Sequence, residues 1–280
     1  MNRIIIAAPS YNSSIGGAIV LHKLCHILNN LGYKAYITTT TKLNGQTDNI
    51  VLNEGYNTRV ATELDVEKDI VLYPEIERGN PLGAKNIVRY ILSTAHLVPL
   101  VEGNHASTWG EDDFWLYLHG RFYDEQREKN ILHVIDTKVD LYKDLGLERK
   151  IEACFTLRKR TGENLKMIHP EGAIEIGYGW DDSRLMGIFN SCKKFYSYDT
   201  ETYLNTLAAL CGCESIIIPY PTLSKEETKK QPSFRYGIKY GENDELTDPG
   251  LLKEYLHQLE EEQIENTHIM FQKIFNYFSL

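Results

Sequence analysis

The sequence has no C-x-x-C pair, no H-E-x-x-H, no G-x-G-x-x-G, no long apolar run and no excess of positive charge, and each absence removes a class of function. Its five cysteines, Cys25, Cys154, Cys192, Cys211 and Cys213, are odd in number and unpaired in spacing. That pattern predicts reduced thiols in a cytoplasm, neither a disulfide framework nor a zinc site. The apolar run Ile4 to Ala8 is far too short for a leader or a bilayer span, so the expectation is a soluble protein whose membrane contact would have to be peripheral. A formal net charge of −9 argues against a broad nucleic-acid-binding face, though it leaves room for a local basic pocket. His119, His133 and His169 show no metal-ligand spacing and read as structural. No internal repeat or low-complexity tract is present.

What is present is an ordinary globular composition, 42% hydrophobic and 25% charged over 280 residues, enough for a large core and long enough to favour two domains. Arg3 to Ala8 reads as a buried strand, and PSYNSSIGG leads from it into an apolar-periodic helix over Ala18 to Leu31. Gly16 and Gly17 stand where strand gives way to helix, where the lack of a Cβ lets a ligand or loop approach the backbone. Gly32 closes the helix and Lys34 to Thr38 starts the next strand, the first half of a Rossmann-like unit. With no dinucleotide fingerprint and no acidic residue clearly at the end of the second strand, NAD is a weak reading.

Residues 39–68 are polar and turn-rich, with a short strand expected at Ile50 to Leu52. Asp69 to Tyr73 is a clear strand, which puts Glu75 just past a carboxyl end. A helix is expected over Leu82 to Leu92 and a strand over Leu97 to Val101. The following EGNHASTWGEDDFWLYLHGRF can line a cleft or form an acidic loop beside an aromatic edge strand. His105, Glu111, Asp112 and Asp113 in it are candidate general bases, since removing a hydroxyl proton needs an imidazole or carboxylate within hydrogen-bond reach; each alone is more often solvated. The charged run DEQREKN over 124–130 is the best candidate for a boundary or linking helix.

A second alternation follows, with strands expected at Ile131 to Ile135 and Glu152 to Leu157, a helical stretch near Leu141 to Leu145, and a helix over Trp180 to Ser191. Arg158, Lys159 and Arg160 come at the carboxyl end of the second of these strands. Three cations there could neutralise a diphosphate, or could be a solvated basic loop. The stretch Lys194 to Pro219, KFYSYDTETYLNTLAALCGCESIIIP, reads as one βαβ unit in which Asp199, Thr200 and Glu201 start the helix. Free N–H groups at that start favour a phosphate, and Tyr198 to Glu201 would lie on the same edge as Arg158. Lys225 to Lys230 reads as a mobile polar loop, FRYGIKYG over Phe234 to Gly241 ends the domain, and a last helix is expected from Pro249 to about Phe278.

These features together resemble the GT-B glycosyltransferases. More narrowly, YPEIERGNPLGAKNIVRYIL, GEDDFWLY, CFTLRKR, FYSYDTETYLNTLAALCGCESIIIP and YGIKYG are similar to a bacterial and viral group of surface-polysaccharide glycosyltransferases. The resemblance implies an α/β fold of two Rossmann-like domains facing a cleft, with a C-terminal closing helix. Residues 1–128 would form the acceptor-side domain, 129–248 the nucleotide-sugar domain, and 249–280 a helical segment packing back on the first. It implies a nucleotide-sugar donor and a glycan acceptor, no separate cofactor and no metal. Arg158 and Lys159 would meet the diphosphate, Tyr198, Asp199 and Thr200 would present the helix start to it, Glu201 would bond a ribose or sugar hydroxyl, and Gly16 and Gly17 would admit the donor closely. Glu75, His105 or Asp112 would be the base of an inverting reaction. Many retaining members carry two glutamates separated by seven residues near this helix, whereas Glu201 is followed at that spacing by Ala209. A nucleotide-sugar epimerase of similar fold and a non-catalytic glycan-binding subunit are the competing readings.

Overall fold

The computed structural model describes residues 2–39, 50–93, 105–122, 124–160, 165–219 and 224–280. The described chain forms two parallel sheets of five strands each. The chain divides into two compact units, one of Met1–Asp136 with Glu260–Leu280, the other of Thr137–Leu259. The charged run 124–130 therefore lies inside the first unit, where Glu128 and Asn130 both accept from Lys273 Nζ, at 2.5 and 2.7 Å.

In the first unit β1 (Ile4–Ala7), α1 (Gly16–Asn30), β2 (Ala35–Thr38), β3 (Ile70–Pro74), β4 (Asn86–Ile91) and β5 (Phe114–Tyr117) give the strand order β2-β1-β3-β4-β5. The strands are mostly apolar because a parallel sheet buries both faces. Ile4, Ile6, Val88 and Tyr90 pack with Leu21, Leu24 and Leu28 of α1, whereas Ile5, Val71, Tyr73 and Ile87 pack with Ala61 and Ala84 from irregular segments. The helix expected over Leu82 to Leu92 is instead β4, whose six residues NIVRYI are all buried. A short, continuous apolar run serves either element, and burial on two faces decides for the strand. Ile50 to Leu52 is not a strand, although Val51 O accepts the Tyr11 N–H at 2.7 Å. The strand expected at Leu97 to Val101 falls outside the described residues.

In the second unit β6 (Ile151–Thr156), β7 (Ile174–Glu175), α2 (Asp182–Ser191), β8 (Cys192–Ser197), α3 (Leu204–Leu210), β9 (Glu214–Ile217), α4 (Lys225–Lys229) and β10 (Ile238–Tyr240) give the order β10-β9-β8-β6-β7. Asp181 caps α2 by accepting the Arg184 N–H at 2.8 Å. Leu185, Phe189, Leu204 and Leu207 cover Cys154 and Phe195 on one face; Ala153, Tyr196, Tyr198 and Ile216 form the other. Three expectations fail here. Ile131 to Ile135, still within the first unit, makes only a single bridge from Tyr117 to Ile131. The stretch 141–145 carries no helix, its polar groups going to tertiary partners such as Asn190 Oδ1, which accepts the Leu145 N–H at 2.8 Å. Lys225 to Lys230 is no loop but α4, capped by Ser224, whose Oγ accepts the Glu227 N–H.

The last helix, α5 (Leu252–Tyr277), has its buried residues at Leu252, Leu256, Leu259, Gln263, Thr267, Phe271 and Ile274, a stripe at three- and four-residue spacing. Leu252, Leu256 and Leu259 pack with Val139 in the second unit, Phe271 and Ile274 in the core of the first. Among the described residues no helix is long and apolar enough to cross a membrane.

Candidate functional site

Topology singles out one edge position in each sheet. After β1 the chain builds β2 on one side and then β3 on the other; after β6 it builds β7 on one side and then β8 on the other. Where strand order reverses in an open parallel sheet, the loops leaving the two neighbouring strands diverge and leave a crevice at their carboxyl ends. The crevice of the first sheet is flanked by the segment leading to Gly16 and by Glu75. That of the second is flanked by Arg158 to Arg160 and by Tyr198 to Glu201.

In the second unit Thr156 and Ser197 are register partners, so the residues that follow them leave the sheet side by side. Arg158 opens a short 3-10 turn with a φ of 38°, a left-handed conformation that strains a residue with a Cβ. Its guanidinium lies 5.2 Å from the centre of the Tyr178 ring. Burial draws the Arg158 pKa below its usual value, while Tyr178 and the carboxylate of Asp199 act against that. Lys159 lies in the same turn. Asp199 is 3% exposed; its Oδ1 accepts the Glu201 N–H at 3.0 Å and its carbonyl accepts from Ser197 Oγ at 2.7 Å. An aspartate bonded two residues ahead forms a local turn in competition with a helix. Asp199, Thr200 and Glu201 are therefore not the first turn of a helix, contrary to expectation. The seven-residue α3 begins at Leu204, and the residue before it, Tyr203, gives no side-chain cap. The chemistry of this edge rests on side chains and turn amides, not on the dipole of α3.

Tyr198 ties the edge to the β6–β7 connection: its Oη accepts the Ile168 N–H at 2.8 Å and meets His169 Nδ1 at 2.9 Å, while its carbonyl accepts from Arg160 Nη1 at 3.3 Å. His169 stacks on Phe155 with 3.9 Å between ring centres, and burial lowers its pKa.

In the first unit α1 starts at Gly16 with an extended Ile15 before it, no side-chain cap and no acidic residue in its first turn. A Cβ at Gly16 would meet nothing within 4 Å, and one at Gly17 would meet Leu92 Cδ1 at 3.6 Å. Neither packing nor backbone demands glycine at 16. Glu75 is 5% exposed, and its Oε2 accepts the Leu92 N–H at 3.0 Å, joining the end of β3 to the end of β4. His105 reaches the same place, with Nδ1 3.2 Å from the Glu75 carbonyl. A carbonyl only accepts, so Nδ1 carries the proton and Nε2 the lone pair of the neutral ring. Asp112 is not brought there. It is exposed in the turn before β5, and its carbonyl accepts from Tyr277 Oη at 3.2 Å. Register carried from β5 through β4 to β3 aligns it with Ile70, on the order of 15 Å along the strands from Glu75.

The expectations passed over Arg89. Fully buried, it donates from Nε to Asp113 Oδ2 at 2.7 Å and from Nη2 to Gly79 O at 2.5 Å. A signal existed in the period of two: Asp113 shares a face with Trp115, and Trp115 is the register partner of Arg89. Reading β4 as a helix hid it. Among the described residues no three His, Cys, Asp or Glu side chains are grouped as metal ligands would be.

No protein-family model matches the sequence, and no curated protein matches it. Among solved structures the chain is similar to a mutant of T4 phage BGT in complex with UDP-glucose, at 12% identity over 100% of this chain and 98% of that one, with a TM-score of 0.48. It is also similar to the spinosyn forosaminyltransferase SpnP, at 14% identity over 99% of this chain and 95% of that one, with a TM-score of 0.39.

Proposed function

We propose that the chain is a glycosyltransferase that moves a sugar from a nucleotide-sugar donor to a hydroxyl of a glycan acceptor. The observation that carries this reading is the placing of Arg158 and Asp199 at equal offsets past register partners, at the crevice where the second sheet reverses its strand order, with the arginine in a strained turn beside an aromatic ring. Strain of this kind persists where the surroundings over-determine it, and it clusters at functional sites.

In this reading the donor diphosphate lies against Arg158 and Lys159, and the turn of Tyr198, Asp199, Thr200 and Glu201 borders it, with Glu201 the proposed partner of a ribose or sugar hydroxyl. An acceptor oxygen attacks the anomeric carbon through an oxocarbenium-like transition state. The bond to the nucleoside diphosphate breaks, and the cations stabilise the charge that develops on it without a bound metal. An inverting reaction needs a base for the acceptor proton, and His105, held by Nδ1 to Glu75 O, is the proposed one. Gly16 and Gly17 leave the start of α1 open to a ligand. The proposed acceptor is a growing surface polysaccharide. The proposed compartment is the cytoplasm, which suits five buried cysteines that are free thiols.

Thermal unfolding with UDP, GDP, ADP and CDP tests the donor site, since a ligand at a hundred times its dissociation constant adds about 2.7 kcal/mol. One diphosphate should raise the midpoint with or without chelator, and the rise should vanish in Arg158→Ala. Release of that diphosphate from UDP-glucose, GDP-mannose or ADP-glucose only when a glycan acceptor is present separates transfer from epimerisation and from glycan binding alone. If no diphosphate moves the midpoint, the reading falls.

A further inference from the structure

We propose that Arg89 is a positioning residue that latches the loop carrying Glu75 onto the turn carrying His105. The inference rests on the reading above, in which that edge takes part in transfer. It starts from an anomaly: an arginine in the middle of a buried strand, 0% exposed, where an aliphatic side chain would pack. A buried ion pair is weak evidence for stability, because removing both charges from water offsets their attraction. What the planar guanidinium adds is direction.

Its two side-chain hydrogen bonds reach two different segments. Nη2 holds the carbonyl of Gly79 in the loop after β3, and Nε holds Asp113 at the end of the turn before β5. The same carboxylate oxygen of Asp113 accepts the Gly110 N–H at 3.1 Å, and a Cβ at 110 would stand 2.7 Å from Asp113 Oδ1 and push that carboxylate aside. The guanidinium lies against two rings, 4.8 Å from the centre of Tyr73 and 5.0 Å from that of Trp109. Around this hub the two segments are fastened directly. Trp109 Nε1 donates to Glu77 O at 2.8 Å, the Gly79 N–H donates to Thr108 Oγ1 at 2.8 Å, and His105 Nδ1 donates to Glu75 O at 3.2 Å. The last of these sets the tautomer of His105, so the latch reaches the proposed base through the backbone of Glu75.

The test pairs Arg89→Met with Asp113→Leu, which removes both charges together and leaves an apolar, foldable site, and compares it with Arg89→Lys. Amide hydrogen exchange in the double variant should quicken at least tenfold over 76–79 and 105–110 and stay unchanged in β1 and β3. The His105 ring nitrogens, followed by NMR, should shift from a single Nδ1–H tautomer to a mixture. Arg89→Lys keeps a charge against Asp113 and loses the second arm of the fork, so exchange should quicken over 76–79 and not at Gly110. With whichever of the three nucleotide sugars is turned over, kcat should fall at least tenfold while the donor KM and the diphosphate-induced thermal shift hold. Exchange that is unchanged in both segments, or raised evenly across the first unit, overturns the proposal; so does wild-type kcat with a mixed tautomer. If the wild-type protein transfers no sugar, the functional reading fails, and the exchange and tautomer data still decide the latch. Should the double variant not fold, Arg89→Lys decides alone.

Discussion

Arg158 and Asp199 stand at equal offsets beyond two neighbouring strands, each two residues past the register pair Thr156 and Ser197. One carries a positive charge on a left-handed backbone, the other a buried carboxylate spent on its own turn. Stability and binding pull in different directions at this place.

Arg158→Gly and Arg158→Ala separate the two. Glycine takes a φ of 38° without strain, whereas alanine keeps the Cβ clash, on the order of 1 kcal/mol. Urea unfolding should find the glycine variant more stable than the alanine variant by about that amount. Both should lose the diphosphate-induced rise in midpoint. An alanine variant that keeps the rise would remove Arg158 from the donor site.

Gly16→Ala makes a similar contrast in the first unit. An added methyl meets no atom within 4 Å, and alanine in a helix is favoured over glycine by up to about 1 kcal/mol. The variant should be equally or more stable in urea, yet bind the stabilising diphosphate less tightly if a ligand approaches that backbone. Unchanged affinity in a calorimetric titration would mean that the open space over Gly16 is not used.

The three candidate bases should part company by isosteric replacement. Asp112→Asn should leave kcat within about twofold, because the side chain is exposed at the other end of the strands. Glu75→Gln keeps an acceptor for the Leu92 N–H and should change kcat less than His105→Gln. Loss of a general base lowers kcat by about a hundredfold or more, the effect expected of His105→Gln. A steady-state series in which Asp112→Asn shows the largest loss would reverse this assignment.

Histidine ionisation should shape the acid side of stability. Burial pushes His133 down to about 4, and burial also lowers His22, His26 and His169. In the unfolded chain these rings take up protons near pH 6.5, so between there and the native value the unfolded state binds more protons and is favoured as pH falls. The contribution of neutral His133 is complete above pH 6.5 and is lost progressively towards pH 4, a change of up to about 3 kcal/mol. Urea midpoints should drop between pH 6.5 and 4.5, and His133→Gln should flatten that slope. A slope that His133→Gln leaves untouched would place the sensitivity elsewhere.

Much of the fold is legible along the chain because burial writes it locally. The run IIIA of β1, the strand IVLYP of β3 and the apolar stripe of α1 are read from residues that are neighbours in sequence. The glycines that open α1, the cations after β6 and the acidic turn after β8 are visible in the same way, each as chemistry that follows a strand. What the sequence left open needed partners far away. NIVRYI reads equally as helix or strand until both its faces are covered, and its arginine looks exposed until Asp113, 24 residues on, neutralises it. Whether Asp199 caps a helix or folds into its own turn depended on where α3 could start against the sheet. Asp112 and Asp113 differ by one position in sequence, and strand alternation sends one into solvent and the other onto Arg89. Register is a long-range quantity, set by burying two faces at once, and only the tertiary structure could decide which strand ends, and so which charges, stand side by side.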